Sequence, residues 1–538
     1  MKQKKKQPTA AAKKNVRVAK RSNIFSLVTP IVLALAIVVN LLVYVITAAF
    51  GLYLYSPSTY DLSLSGYTRI LFEEAEAESI KHGEKVKIIF CQSPDELQNN
   101  SKGSVVHETA KKFRELHPDF IEIQYLNLIT KVLTRGDNST EYVDLADYQP
   151  IIDEASVDNE AQLTAARRLL KSSVIFMSDY GRKVLTDSYS TEGYSSFYTV
   201  NSSGYAVAYN GEEIIASMIM WTLPRDNKPK EHKTAYFTVY HGEVSDVAFS
   251  NLLVCAGYNI DTIDLVKEEI PENAGLVVIS SPTKDFERGQ EGSDISSEIE
   301  KLREYVKGGG NIYVALDPYA EKLPELEKLL EEFGIAMSYA NIAGKPEDVR
   351  NFVRDANDSI EADFFTMEVS FATGGAADAI YETVKQYSQN KVLIKDCSAL
   401  ELSKQAQPLL KTSAAATLYA AGQQTDGAGS YCVAAVSRAL DEKGNPSGSV
   451  FVVPSVYLTA SDGMVSGGYA NRTFIYSVFE NIHGLEDLPY GCKSIYYSDY
   501  ILEGLTMRVA RMYTVAIIAV PVVIALVGGV VIIRRKNR

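Results

Sequence analysis

The alternation of apolar and polar positions is clearest between Gly275 and Pro318, where its period changes twice. Leu276 to Ile279 form an unbroken apolar run rich in β-branched residues, which is typical of a short strand buried on both faces. A stretch with helical spacing follows, and Ile312 to Leu316 again has the pattern of a strand. The helical stretch carries its apolar residues at Ile295, Ile299, Leu302 and Val306. This order predicts a right-handed βαβ unit.

The loops and ends of this unit carry further signals. Ser293 or Asp294 can cap the start of the helix, and the glycines at 308–310 can end it. The charged positions of residues 294–307 predict a solvated helix face with ordinary i,i+4 pairs. The loops that follow the two strands, residues 280–285 and 317–318, should lie at the carboxyl edge of the sheet, where α/β domains bind their ligands.

Patterns of the same kind recur on both sides of residues 224–232, a polar segment dense in Lys, Asp and Pro that predicts a domain boundary. We therefore expect an α/β protein with two tandem domains, residues 56–223 and 233–485, the second doubly wound around a mainly parallel sheet. The expected strands are 85–90, 121–126, 173–178, 235–239, 260–265, 276–279, 312–316, 364–371, 414–421, 431–436 and 450–453. The expected helices are 67–81, 105–116, 160–170, 211–220, 244–256, 295–306, 323–333, 376–387 and 471–482.

Two long uncharged apolar runs flank the expected domains. Residues 24–50 are long enough to cross a hydrocarbon core of roughly 30 Å, whereas a secretory signal has an apolar core of only about 7 to 15 residues. Residues 513–533 form a second run of the same kind. We expect two transmembrane helices at these positions, with residues 486–512 as a juxtamembrane segment before the second.

Charge predicts the orientation of these helices. Nine basic residues lie within positions 1–21 and four within 534–538, so both tails, 1–23 and 534–538, should be cytoplasmic and the bulk of the chain extracytoplasmic. The whole chain has a net charge of −13, and removal of those thirteen basic residues leaves −26 for the interior. So acidic a region argues against nucleic acid as a partner.

The chemistry-bearing residues follow no known catalytic pattern. The five Cys, at 91, 255, 397, 432 and 492, are widely spaced and predict no disulfide framework, and the six His lack metal-ligand spacing. The P-loop, H-E-x-x-H and G-x-S-x-G motifs are absent from the sequence, so ATP hydrolysis would have to occur on another protein. We therefore expect no cofactor, no metal, no catalytic residue and no enzymatic activity.

Several short motifs together resemble a known family. They are Tyr60 to Ser63 after the first apolar run, Tyr240-His241-Gly242-Glu243 after a strand, residues 275–281 with Pro282 and Asp285, the run 308–317, and Asp462 with Asn471-Arg472. In order and spacing these are similar to GldG-type auxiliary proteins of ABC transport systems, the gliding-motility-associated family. The resemblance covers residues 25–535 and is less clear over 338–413, to which it assigns no role.

The resemblance implies a membrane-anchored subunit that accompanies an ABC permease and a cytoplasmic ATPase and contacts membrane lipid. Its outer domains would bind a ligand or partner at the sheet edge, with His241, Gly242, Glu243, Ser281 and Asp317 as the candidate residues. Two structural alternatives stay open at that edge. Glu243 could complement the start of the next helix while His241 packs against the rim, and Asp317-Pro318 could be only a turn that ends the strand.

The apolar runs themselves contain candidate docking residues. Ala525 and Gly529 have the small-xxx-small spacing that lets membrane helices approach closely, and Asn40 can form a hydrogen bond within the bilayer. These residues could equally be incidental, since Gly is common in membrane helices. Two other functions remain open for the whole chain: a cell-envelope scaffold without a transporter, and a hydrolase on an amidotransferase-like sheet.

Overall fold

The first half of the fold is built around a six-stranded sheet. The structure, a computed structural model, describes residues 62–82, 85–148, 170–186, 196–200, 206–225, 228–287, 297–345, 347–360, 365–388, 391–403, 405–440, 444, 446–464 and 469–497. The elements of this half are α1 (Gly66–His82), β1 (Val86–Phe90), α2 (Pro94–Asn99), α3 (Ser101–Leu116), β2 (Ile121–Asn127), β3 (Val132–Thr134), β4 (Thr140–Tyr142), β5 (Val174–Met177) and β6 (Arg182–Leu185). The strand order is β4-β3-β2-β1-β5-β6.

Strands β1 and β2 are parallel and α3 connects them, which confirms the βαβ start predicted for this half. The other neighbouring pairs in this sheet are antiparallel. The predicted helix 160–170 lies outside the described residues apart from Leu170, which begins a short 3-10 turn ending at Ser172.

A buried helix connects this half to the second sheet. The hairpin strands β7 (Tyr198–Val200) and β8 (Ala206–Tyr209) precede α4 (Gly211–Thr222). All twelve residues of α4 are buried, including the acidic pair Glu212 and Glu213. The helix packs against α3 and also against α5 (Val247–Cys255) of the second half. A single hydrophobic cluster therefore extends from the first sheet into one face of the second.

The second sheet has eleven strands and is parallel on one side only. Its parallel strands are β9 (Thr234–Thr238), β10 (Asn259–Ile263), β11 (Ala274–Ser280), β12 (Asn311–Ala315) and β24 (Pro446–Val453), in the order β10-β9-β11-β12-β24. Helices α6 (Glu298–Lys307) and α7 (Pro324–Glu332) belong to this side. Every residue of β11 is buried, as its apolar pattern predicted.

Helices cover both faces of this parallel side. Val277 and Ile279 of β11 belong to a cluster with residues of α6 and α7. Leu276 and Val278 point to the opposite face and belong to a cluster with residues of α5 and of α10 (Asn471–His483). The helix α8 (Ala376–Tyr387) belongs to the same cluster but packs on strands of the other side of the sheet. A short helix, α9 (Ser461–Met464), precedes α10. The doubly wound arrangement is therefore present, as expected for a sheet with apolar residues on both faces.

The other side of the sheet is antiparallel, so the prediction of a mainly parallel sheet holds for five strands only. Strands β23 (Cys432–Leu440), β20 (Gln407–Lys411), β17 (Thr366–Phe371) and β18 (Val392–Lys395) extend the sheet beyond β24. Five residues, 441–445, separate β23 from β24, and a connection of that length can only make an antiparallel pair. The remaining strands of the sheet are β13 (Ile335–Met337) and β19 (Leu400–Leu402).

Smaller sheets complete the fold. They contain β14 (Tyr339–Ala340) with β15 (Val349–Arg350), then β16 (Phe352–Arg354) with β21 (Ala416–Ala420) and β22 (Gln423–Gly429), and finally β25 (Ile495–Tyr496) with β8 and β7. The pairing of β25 with β8 brings residues expected in a juxtamembrane segment back onto the first half of the fold. All of these elements belong to one compact unit that begins at Leu62.

The predicted membrane helices at 24–50 and 513–533 lie outside the described residues. Within the part of the chain that the structure describes, none of the helices has the length and apolarity needed to span a membrane.

Candidate functional site

The turn after β9 forms the centre of the candidate site. Tyr240 and Gly242 both have positive φ angles, 79° and 77°, so the backbone reverses sharply within three residues. A Cβ atom at position 242 would lie only 2.1 Å from Oγ1 of Thr283, which belongs to the loop after β11. Only glycine combines this backbone conformation with so close an approach. The motif Tyr240 to Glu243 therefore owes its glycine to the contact between two loops at the sheet edge.

This turn places His241 between two carboxylates. Its Nδ1 lies 2.9 Å from Oε1 of Glu243, and its Nε2 lies 3.0 Å from Oε2 of Glu298, the first residue of α6. The backbone N–H of His241 also donates to Oε2 of Glu243 at 2.7 Å. The imidazole ring stacks on the ring of Phe286 with a centroid distance of 3.9 Å. We call His241, Glu243 and Glu298 the Glu-His-Glu cluster.

The Glu-His-Glu cluster is buried and carries net charge. His241 is 6% exposed and Glu298 is fully buried. Burial lowers the pKa of His241, but its hydrogen bonds to Glu243 and Glu298 outweigh burial and raise that pKa to about 9. Burial raises the pKa of Glu243, but the hydrogen bond from His241 outweighs it, so that this pKa is lowered. An imidazolium between two carboxylates leaves one net negative charge at the sheet edge.

One carboxylate oxygen of the cluster is unsatisfied. Oε2 of Glu298 accepts hydrogen bonds from the imidazole and from the N–H of Glu287 at 2.7 Å, whereas Oε1 is buried and has no hydrogen-bond partner among the described residues. A buried acceptor without a partner costs free energy, so this oxygen lowers the stability that the cluster contributes.

The other predicted edge residues lie on neighbouring loops. Ser281 follows β11 with a positive φ of 53°, and its N–H donates to the carbonyl of Ala315. Its neighbour Ser280 donates to the carbonyl of Val244, so the loops after β9 and β11 are joined. Asp317 makes different contacts. Its Oδ1 accepts from the N–H of Tyr319 at 2.9 Å, as expected for a turn.

The loop of Asp317 is fixed by a buried arginine. Arg350 donates to the carbonyl of Asp317 at 2.9 Å and pairs with Glu327 at 2.8 Å, and both side chains are less than 10% exposed. Tyr339 donates to both oxygens of Glu327. The other candidate residues, Asn40, Ala525 and Gly529, lie outside the described residues.

Two sequence-based interpretations of this edge are wrong. Residues 294–307 do not present only a solvated face, because Glu298 and Lys301 are buried. Lys301 donates to the carbonyls of Leu265 and Glu268 at 2.8 Å each. Glu243 does not complement the start of α5. Asp246 caps that helix, with its Oδ1 2.9 Å from the N–H of Ala248.

A second set of buried charges lies at α4. Oε1 of Glu212 accepts from the N–H of Ser65 at 2.8 Å, from the hydroxyl of Ser65 at 2.5 Å and from the hydroxyl of Thr68. Its Oε2 accepts from the N–H of Lys493 at 3.2 Å. The carboxylate therefore joins residues from the two ends of the described chain.

Glu213 binds α10 in the same way. Its two oxygens accept from Arg472 and from the hydroxyl of Tyr476, the latter at 2.5 Å. Burial raises the pKa of Tyr476, and the charge of Glu213 raises it further, so the phenol keeps its proton. Beside this pair is a small cavity of about 230 Å³, whose lining includes Tyr469, Tyr490 and Tyr496. These contacts could not be predicted from the sequence, because two acids at the start of a helix are ordinary.

The buried charged groups of the site make their contacts within the fold. Among the described residues, no group of His, Cys, Asp and Glu is arranged to hold a metal ion. Burial raises the pKa of Cys91, Cys255 and Cys432 to about 12, so these thiols stay protonated and unreactive. The buried charges instead fix loops and chain ends, and they define an α/β protein with a polar edge at its parallel strands.

Comparisons with known proteins show weak structural likeness only. No family model matches the sequence, and no curated protein matches it. The N-terminal domain of mmIFT52 aligns with 46% of this chain and 96% of its own length, at 15% identity and a TM-score of 0.31. A ThuA-like protein from Bacteroides uniformis covers 48% of this chain and 95% of its own, at 11% identity and a TM-score of 0.30.

A glutamine amidotransferase from Thermotoga maritima covers 47% of this chain and 99% of its own, at 10% identity and a TM-score of 0.26. Scores of this size carry no inference about function.

Proposed function

We propose that this protein is a membrane-anchored auxiliary subunit of an ABC transport system, whose extracytoplasmic α/β unit binds a ligand or partner. The single observation that carries the anchored arrangement is the meeting of the two ends of the described chain. We call residues 62–68 the leading segment and residues 485–497 the returning segment. The leading segment follows the apolar run 24–50, and the returning segment precedes the apolar run 513–533.

The contacts between the two segments are direct and partly buried. The hydroxyl of Tyr67 donates to the carbonyl of Leu488 at 2.7 Å. A Cβ atom at Gly491 would lie 2.5 Å from atoms of Tyr67, so the two segments approach as closely as a missing side chain allows. Glu212 accepts hydrogen bonds from both segments, from the backbone N–H of Ser65 and from that of Lys493. The first and last segments of the described chain therefore meet at one place on the fold.

This geometry supports two neighbouring anchors. Two spans that attach to one place on the fold can enter the same patch of membrane without any strain on the chain between them. With a basic tail beyond each span, both termini are then cytoplasmic and residues 62–497 lie outside.

The transport assignment comes from the resemblance to GldG-type auxiliary proteins. One of the motifs of that resemblance, Tyr240 to Glu243, forms the turn that builds the Glu-His-Glu cluster at the carboxyl edge of the sheet. Open α/β sheets bind ligands at that edge. The protein itself has no P-loop, so a separate ATPase supplies the energy, and a permease supplies the pathway through the membrane.

Co-purification tests the transport assignment. The full-length tagged protein, extracted from its own cells in a mild detergent, should bring down an ABC permease and an ATPase at near-stoichiometric yield. The matched control is a tagged variant in which both apolar runs are replaced by unrelated single-pass anchors of equal length and orientation. Recovery of neither transporter subunit with the natural protein would refute the assignment.

Thiol labelling tests the topology. In a background without the five native Cys, Ala10→Cys and Asn537→Cys should resist an impermeant reagent on intact cells, and Gln290→Cys should react. Labelling of either terminus would contradict the two-span arrangement.

A further inference from the structure

An open groove of about 690 Å³ lies partly within residues 338–413, the region to which the family resemblance assigns no role. One wall is the small sheet of β21 and β22, and the other is formed by residues 338–342 together with residues 399–401 of the region around β19. Its volume is in the range of sites for small ligands, which is about 300 to 1,000 Å³.

The described residues that line the groove have a distinctive chemistry. Ten of the fifteen are polar, and four of these carry amide side chains: Asn341, Asn351, Gln423 and Gln424. Two carboxylates, Glu401 and Asp426, are present, and the lining contains neither Lys nor Arg. Leu400 and Leu418 contribute an apolar area. Such a lining disfavours an anion, because nothing in it balances a negative charge.

The central polar side chain is held in a fixed orientation. Asn351 is 4% exposed. Its Nδ2 donates to the hydroxyl of Ser338 at 3.0 Å, and its Oδ1 accepts from the hydroxyl of Thr425 at 2.6 Å. These bonds cross from one wall to the other, so the groove keeps its shape without a ligand. A site with fixed side chains loses little conformational entropy on binding.

Strand β22 lies at the edge of its small sheet, a position at which a peptide strand could add to the sheet. Some of its backbone groups are already hydrogen-bonded to side chains. The carbonyl of Asp426 accepts from Nε2 of Gln424 at 2.9 Å, and the carbonyl of Gly427 accepts from the hydroxyl of Tyr431 at 2.7 Å. The N–H of Gly427 donates to Oδ1 of Asp426. Side chains thus occupy backbone groups that an added strand would need. Recognition in this groove therefore falls to side chains.

We propose that this groove binds an uncharged, hydroxyl-rich ligand, that is, a saccharide. The groove would then be the ligand-binding site of the proposed auxiliary subunit. The inference rests on that proposed function for its biological setting but not for its chemistry. A sugar hydroxyl both donates and accepts, and an amide side chain offers both partners from one planar group. Carboxylates accept from pairs of hydroxyls, and the apolar area matches the C–H face of a sugar ring.

The tyrosine at the end of the groove fits the same ligand. Burial raises the pKa of Tyr431 to about 12, and Asp426 adds to that effect, so the phenol keeps its proton. That proton is donated to the carbonyl of Gly427, and the phenol oxygen is left to accept from a sugar hydroxyl.

Direct titration of the purified full-length protein in detergent tests the proposal. The probes are N-acetylglucosamine oligomers, maltohexaose and an array of uncharged oligosaccharides, together with polygalacturonate as an anionic probe and oligolysine as a cationic peptide. At least one uncharged oligosaccharide should bind with a dissociation constant below about 1 mM. The double variant Gln423→Ala/Gln424→Ala should weaken that binding by at least about tenfold, because two hydrogen-bonding side chains are removed.

The variants are chosen so that folding is not at issue. Gln423 and Gln424 are both exposed, and Asn99→Ala, at an exposed position of α2 in the other half of the fold, is the matched control that should bind as the natural protein does. Binding of no uncharged oligosaccharide, or binding that the double variant leaves unchanged, overturns the proposal. Binding of oligolysine alone would assign the groove to a basic peptide and also overturn it. These results do not depend on co-purification of a transporter, so the two proposals fail separately.

Discussion

Raising the pH through the range in which His241 loses its proton should destabilise the protein. The folded-state pKa is about 9, compared with the ordinary value of 6.5. Because one pKa unit corresponds to about 1.4 kcal/mol, the proton stabilises the fold by about 3 kcal/mol. This stabilisation is complete below pH 6.5, where the unfolded chain is also protonated, and is lost as the pH rises through 9. The three members of the Glu-His-Glu cluster share it.

Another buried group changes stability in the opposite direction over part of the same range. Burial lowers the pKa of Lys183 to about 8 from 10.5. Between these values the unfolded chain binds more protons than the folded one, so the contribution of Lys183 to stability increases with pH. The pH profile of the natural protein alone therefore does not isolate His241, and a comparison of variants is required.

The informative variant is Glu298→Gln, which keeps the shape of the side chain and removes one of the two charges beside the imidazole. Urea unfolding of the full-length protein in detergent, from about pH 6 to about pH 10, should show a smaller loss of stability for this variant than for the natural protein. The matched control is His107→Gln. Burial lowers the pKa of His107 to about 4, so above about pH 7.5 this residue is neutral in both the folded and the unfolded chain, and over that part of the range its variant should keep the natural slope.

A direct measurement complements the unfolding data. In the protein with ¹³C-labelled histidine, one imidazole should titrate with a midpoint near 9, and that resonance should be absent from a His241→Gln sample. Equal pH slopes for the natural protein and Glu298→Gln, together with a His241 midpoint near 6.5, would refute the reasoning.

Three further predictions concern stability and reactivity. Gly242→Ala should cost about 1–3 kcal/mol in urea unfolding, because of its positive φ and the approach of Thr283, whereas Gly427→Ala, which has open space, should stay within about 0.5 kcal/mol. Glu213→Gln should lower the free energy of unfolding by about 3–5 kcal/mol, since the partly buried Arg472 loses its buried charged partner; an unchanged transition would contradict this. Cys255 should resist iodoacetamide at pH 8 until the chain unfolds, because burial raises its pKa to about 12; mass spectrometry of the native protein would reveal any labelling.

Elements with a strong local pattern could be predicted from the sequence. The helix expected at 376–387 has those bounds in the structure. The terminal helix expected at 471–482 begins at Asn471 and ends one residue later than expected, at His483. Strand β11 was predicted because a run of apolar residues suits burial on both faces. In these segments the local signal and the tertiary environment agree, so periodicity alone is sufficient.

Strand β22 shows why other elements could not be predicted. Its sequence, QQTDGAG, has no alternation of apolar and polar residues, and most of its positions are exposed. Residues 423–429 form a strand because they pair with β21, so their conformation is determined by another segment of the chain and not by their own pattern. A wall of the proposed saccharide groove was therefore invisible to a reading based on hydrophobic pattern.

The buried acids follow from the same limitation. Glu212, Glu213 and Glu298 each lie in the first turn of a helix, where an acid normally complements the helix dipole in solvent. Their burial is decided by partners far away in sequence: Ser65 is 147 residues from Glu212, and Arg472 is 259 residues from Glu213.

Local sequence can place an acid at a helix start, but only the assembled fold supplies the donors that make its burial tolerable. Because the donors for Glu212 come from both the leading and returning segments, that carboxylate is satisfied only when the two ends of the unit are together. Its burial therefore ties the completion of the fold to the contact between the leading and returning segments, an arrangement that suits the two neighbouring anchors proposed above.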